Sequence, residues 1–101
     1  MNLTAARLKF RELRQDHHRI RVRSHAWREH PERCFSPDEI IELICHSSGE
    51  LADNRAATAT PDSFVLRCCD RRNRRCEMVV VFEVSSTTGD WLIVISAFRK
   101  V

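Results

Sequence analysis

Apolar positions change their spacing along this chain, and each change marks an element. Leu3, Ala6, Phe10 and Leu13 recur every three or four residues, so residues 2–16 read as a helix with one apolar stripe. That stripe can pack on its own domain or dock on a partner. From His18 the period drops to two: His18, Arg19, Ile20, Arg21, Val22, Arg23. This reads as a short strand or an extended lead-in, with Arg19, Arg21 and Arg23 on one face and Ile20 and Val22 on the other. Ser24–Arg33 is dense in charge, and Pro31 interrupts any helix there. Cys34 and Phe35 return the chain to the core.

The next helix is the best marked. Ser36 suits an N-cap, Pro37 the first helical position and Glu39 the third residue of a capping box. Ile40, Ile41, Leu43, Ile44 and Cys45 supply its apolar face, and Gly49 is the expected stop. After Glu50 the pattern becomes β. Residues 51–56 form an edge strand or a loop, 63–69 a strand, 70–75 a hairpin tip, 76–84 a β-branched strand and 91–98 a third strand. Strand 91–98 is almost continuously apolar, which predicts a central position covered on both faces. Helices followed by a meander give an α+β fold, with N-terminal helices packed on one face of a small antiparallel sheet. One domain covers residues 1–101, and helix 1–16 is an accessory to it.

Composition narrows the function classes. No apolar run approaches the ~20 residues of a membrane span, and Met1–Arg7 lacks a signal-peptide core. A cytoplasmic protein without membrane contact is expected. The net charge is +3, unevenly spread: residues 1–35 hold nine Lys/Arg against four Asp/Glu, and residues 36–101 hold eight against ten. A second basic knot is Arg71-Arg72-Asn73-Arg74-Arg75. Such clusters favour anionic partners, nucleic acid or acidic protein. The five cysteines are odd in number and contain no C-x-x-C pair, against a disulfide framework and a structural zinc site. No metal and no cofactor is expected; Cys45 and Cys68 read as small apolar residues.

Candidate chemistry gathers around Ser24–Arg33. His25 and His30 would lie about 140° apart on a helix, able to border one cleft. Imidazoles beside guanidinium groups suit a phosphate-handling site, one moving protons and the other holding negative charge. The plainer reading is a solvated basic helix anchored by Trp27. Strand 91–98 carries one hydroxyl, Ser96, followed by Arg99 and Lys100.

Three pieces carry a family resemblance: His25-Ala26-Trp27-Arg28-Glu29-His30-Pro31; the capped helix from Ser36 to Ile44 with Asp53-Asn54-Arg55 beyond it; and Ile93-Val94-Ile95-Ser96-Ala97-Phe98-Arg99-Lys100. Over about residues 20–101 this order resembles the RelE-like toxins and the barnase–EndoU–colicin–RelE superfamily of nucleases. Ser96 stands where relatives often show threonine, and the chain has no tyrosine. The resemblance implies a metal-independent endoribonuclease of toxin type, restrained by a cognate antitoxin or immunity protein. His25 and His30 would do acid–base work, Arg55 and Arg99 would clamp the transition state, and Ser96 would donate to a phosphate oxygen. Arg19, Arg21, Arg23, Arg28 and Lys100 would bind RNA, and the first helix is a candidate homodimer surface. The rival reading is a non-catalytic RNA- or protein-binding module of the same fold.

Overall fold

The computed structural model describes residues 1–24, 26, 36–56 and 61–99. In chain order these form α1 (Leu3–Leu13), a 3-10 turn (His17–Arg19), β1 (Ile20–Val22), α2 (Pro37–His46), β2 (Glu50–Asp53), β3 (Phe64–Cys69), β4 (Arg75–Glu83) and β5 (Trp91–Arg99). The class is α+β, with two α-helices and one five-stranded sheet among the described residues. None of these helices is long and apolar enough to cross a membrane.

Both helices begin on the caps that local chemistry supplies. The Asn2 side chain accepts from the backbone N–H of Ala5 at 2.8 Å. At α2 the reciprocal box forms, Glu39 N–H to Ser36 Oγ at 3.2 Å and Ser36 N–H to Glu39 Oε1 at 3.4 Å. The end of α2 differs from expectation. The helix stops at Ser47, which turns extended while its N–H still reaches the Leu43 carbonyl. Gly49 serves packing instead: a Cβ there would sit 2.8 Å from Leu66 Cδ1.

The sheet corrects the antiparallel expectation. Its order is β1-β5-β4-β3-β2; β2 to β5 form an antiparallel meander, but β1 pairs parallel with β5. A parallel pair needs a long connection, and here α2 and three strands intervene, so the sheet is mixed. Residues 51–56 resolve into the edge strand β2 and a following loop.

One core cluster joins α1 (Ala6, Phe10, Leu13), α2 (Ile40, Ile44) and one side of the sheet (Leu51, Leu66, Met78, Val80, Leu92, Val94). The stripe of α1 therefore lies on its own domain, leaving Leu8 exposed. Cys68 and Cys76 are opposite one another in the register and buried in this cluster. Burial pushes both thiols up, that of Cys76 to about 11, so they stay protonated at neutral pH and act as small apolar residues.

Strand β5 is interior, between β1 and β4, and its consecutive Leu92, Ile93 and Val94 are all buried. Beyond them the register jumps: Val80 pairs with Val94, but Val79 pairs with Ser96. Ile95 is the extra residue of a β-bulge. The bulge inverts the alternation, so Ala97 (opposite Met78) and Arg99 (opposite Cys76) return to the core side, and Ser96 falls on the other.

Candidate nucleic-acid interface

The side of the sheet away from the core carries the first basic cluster. Register places Arg21 beside Ile93 on that side, and Trp91 opposite Glu83 shares it. The guanidinium carbons of Arg21 and Arg19 lie 4.7 and 5.3 Å from the Trp91 ring centroid. Cation–π attraction holds both groups without cancelling their charge. Arg19 is fixed further by donating from Nη1 to the Thr88 carbonyl at 2.6 Å. That carbonyl belongs to a turn in which Gly89 has φ +81° and Ser85 Oγ accepts the N–H groups of Thr87 and Thr88. The turn is tied to α1 through the Asp90–Lys9 ion pair, whose ammonium holds the Asp90 carboxyl below the usual range.

Arg23 is exposed, and its backbone N–H donates to the Val94 carbonyl at 3.1 Å. The chain thus leaves β1 alongside the bulge, next to half-buried Ser96. Because β1 runs parallel to β5, Arg21 stands level with Ile93, and the Arg23 bond to Val94 brings the chain to within two residues of Ser96 along β5.

The second basic cluster lies elsewhere. A groove of about 900 Å³ runs between α2 and the β3–β4 tip, lined by Glu39, Glu42, His46, Asp70, Arg71, Arg72, Arg74 and Arg99 among others. Carboxylates engage most of its cations. Arg99 pairs with Glu39 at 3.1 Å and Asp70 at 3.4 Å, Arg74 pairs with Asp70 at 2.8 Å, and Arg71 pairs with Glu42. Asp70 also accepts the backbone N–H groups of Arg72 and Arg74 at 2.9 Å. The N–H of Arg74 is the main reason the Asp70 carboxyl is held low, with the Arg74 side chain and the Arg72 N–H adding to it against partial desolvation. Asp70 is thus the knot of the hairpin tip, with Asn73 at φ +60° closing the turn.

The candidate residues therefore divide. Arg19, Arg21, Arg23 and Ser96 share the region around the outer side of β1 and β5, whereas Arg99 is on the core side among carboxylates. Arg55 is exposed just beyond edge strand β2. Three strand spacings separate β2 from β5, about 14 Å at roughly 4.8 Å each, so Arg55 and Ser96 do not form one compact site. His25, Trp27, Arg28, His30, Cys34, Phe35 and Lys100 lie outside the described residues. Sequence reasoning missed Trp91 as the platform for two arginines and His46 as a groove residue. Alternation alone puts Arg19 and Arg21 together, but a bond partner 69 residues away, as Thr88 is for Arg19, leaves no local trace.

Comparison with protein-family models, with curated proteins and with solved structures finds no match for this chain.

Proposed function

We propose that this chain is a metal-independent endoribonuclease of the RelE-like toxin type, acting on the outer side of β1 and β5. The observation that supports the reading is the parallel β1–β5 pairing, which sets exposed Arg21 level with Ile93 and exposed Arg23 against the Val94 carbonyl, two residues short of Ser96. His25 follows Arg23 by two residues. The arginines follow the phosphate backbone of RNA, and Ser96 donates to a phosphate oxygen. One imidazole of the His25–His30 pair takes the proton from a ribose 2′-hydroxyl as that oxygen attacks phosphorus. The other protonates the 5′-oxygen as its bond to phosphorus breaks. The products are a 2′,3′-cyclic phosphate and a free 5′-hydroxyl. The carboxylate partners of Arg99 favour a structural role for it over a clamp, and the position of Arg55 favours an outlying contact. A cognate antitoxin or immunity protein that covers this cationic side is the matching partner.

The test is incubation of the purified protein with total RNA in EDTA, alone and with translating ribosomes, beside His25→Ala and His30→Ala proteins. Cleavage that survives EDTA, yields cyclic phosphate ends and fails in either variant supports the reading. A second reading, an RNA-binding module without catalysis, draws on the Arg19–Trp91–Arg21 stack, a binding feature with no acid–base group of its own. It predicts no cleavage under either condition and RNA affinity that weakens as salt rises.

A further inference from the structure

The hairpin below the second basic cluster holds a pair of thiols that the proposed RNA chemistry does not use. Cys68 of β3 and Cys76 of β4 are direct partners in the antiparallel register. Both side chains join the core cluster, where the two residues are 6% and 1% exposed. Directly opposite residues on antiparallel strands have Cα atoms about 4.5–5.5 Å apart, inside the range of about 4.4–6.8 Å that a disulfide spans. Their nearness also shows in the thiols: burial raises that of Cys76 most, and the neighbouring Cys68 raises it next. Cys69, one residue on, alternates to the other side of the sheet and is exposed, so it stands outside the pair.

A second observation concerns access. Only two register positions separate the pair from the turn: Cys69 faces Arg75, and the Asp70 N–H donates to the Arg74 carbonyl at 3.0 Å. The Cys76 thiol donates to that same carbonyl at 3.4 Å. Residues 71–75 are exposed, and the tip is closed chiefly through Asp70, which accepts the N–H groups of Arg72 and Arg74 and the Arg74 side chain. Opening at this end uncovers both sulfurs while the deeper pairs of the hairpin stay formed.

We propose that Cys68 and Cys76 form a latent thiol–disulfide exchange site, at which a low-mass disulfide of the glutathione type staples β3 to β4. With the tip open, one cysteine gives up its proton and its thiolate attacks a sulfur of the small disulfide. The small S–S bond breaks, and one small thiol leaves, taking up a proton. The second cysteine, deprotonated in turn, attacks the protein sulfur of the mixed disulfide. The Cys68–Cys76 bond forms and the other small thiol leaves with the second proton. Two protein thiols are oxidised, and one small disulfide is reduced to two thiols. The bond closes the nine-residue loop 68–76 and fixes the tip whose Asp70 and Arg71 engage Arg99 and α2. The proposal is independent of the ribonuclease reading, because it is measured without RNA.

The experiment incubates the reduced, folded, full-length protein with oxidised glutathione at neutral pH without denaturant, beside Cys69→Ser and Asp70→Asn proteins. Circular dichroism establishes that each is folded, and unreduced tryptic fragments are weighed over time. The expected result is a fragment 68–71 joined to fragment 76–99 in the parent and in Cys69→Ser, lighter by two hydrogens than the two parts. Asp70→Asn should link about tenfold faster, the scale of losing one charge-assisted hydrogen bond that holds the tip closed. The proposal is overturned if Cys69→Ser forms no such link, if the link forms only in urea, or if glutathione remains attached at Cys68 or Cys76 without exchange. A folded Asp70→Asn protein that links no faster than the parent overturns the gating by the tip.

Discussion

The molecule carries two arginine clusters of similar density in sequence, and they are electrostatically different objects. At the β3–β4 tip, Arg71, Arg74 and Arg99 meet Glu42, Asp70 and Glu39, so the guanidinium groups hold the hairpin to α2. At the start of β1, Arg19 of the 3-10 turn and Arg21 of the strand lie against an indole ring and Arg19 against a carbonyl, and among the described residues no ion pair involves them. A carboxylate neutralises an arginine; a ring face orients it and leaves its charge outward. The lesson is that a run of arginines identifies a nucleic-acid surface only after its counter-charges have been located. By that criterion the β1 side is the better candidate for the proposed RNA contact, and the cations of the hairpin tip hold the fold together.

The most severe way to break this division is to put a charge where the bulge turns Ala97 into the core, opposite Met78. Ala97→Glu buries a carboxylate in the cluster under the sheet. Urea unfolding is expected to show a loss of more than about 3 kcal/mol, because a buried charge is left without a partner. An Ala97→Glu protein as stable as the parent would mean that the bulge does not set the sides.

RNA affinity separates the clusters directly. The Arg21→Ala/Arg23→Ala protein should bind single-stranded RNA about tenfold or more weakly, and its log–log salt slope should flatten by about 1.4, at roughly 0.7 per phosphate contact. Arg71→Ala/Arg74→Ala should lose less than about threefold in affinity, its cations being engaged already. Filter binding across a salt series decides the matter, and the reverse ranking would sink the assignment.

A smaller effect probes how Arg19 is held. In Gly89→Ala the new Cβ would lie 2.6 Å from Arg19 Nη1. The flexible guanidinium can give way, so the cost comes from the positive φ, about 1–2 kcal/mol. Thermal melting should register that loss, while the displaced Arg19 lowers RNA affinity slightly.

The subtlest test concerns pH. The Asp70 carboxyl is held low in the folded state, so its contribution is fully present above the ordinary aspartate range near ~3.9. It is lost as pH falls through the folded value. Asp70→Asn should therefore melt below the parent at neutral pH, and the two curves should converge in acid. A gap that stays constant from pH 7 into acid would show that the Asp70 charge is not what stabilises the tip.

Local chemistry made much of this fold readable. Ser36, Pro37 and Glu39 specify the start of α2 through bonds spanning three residues, and the β-branched run of β4 and the Asp70–Arg75 tip announce themselves in the same way. The alternation around Ile20 and Val22 located β1 and its arginine face. The site was less legible. Ser96 and Arg99 read as groups on one strand exit, but strand parity and one inserted residue assign them to opposite sides. Arg55 looked available to the same cleft until the strand order set it at the far edge.

The division follows from the range of the forces involved. Caps, turns and apolar periodicity depend on neighbours within a few residues, so the residues themselves state them. The parallel return of β1 beside β5, the bulge at Ile95 and the pairing of Arg99 with Glu39, 60 residues away, depend on which surfaces pack once the core has closed. Those choices come from burying one side of the sheet as a whole, and they decide which charges remain for a partner.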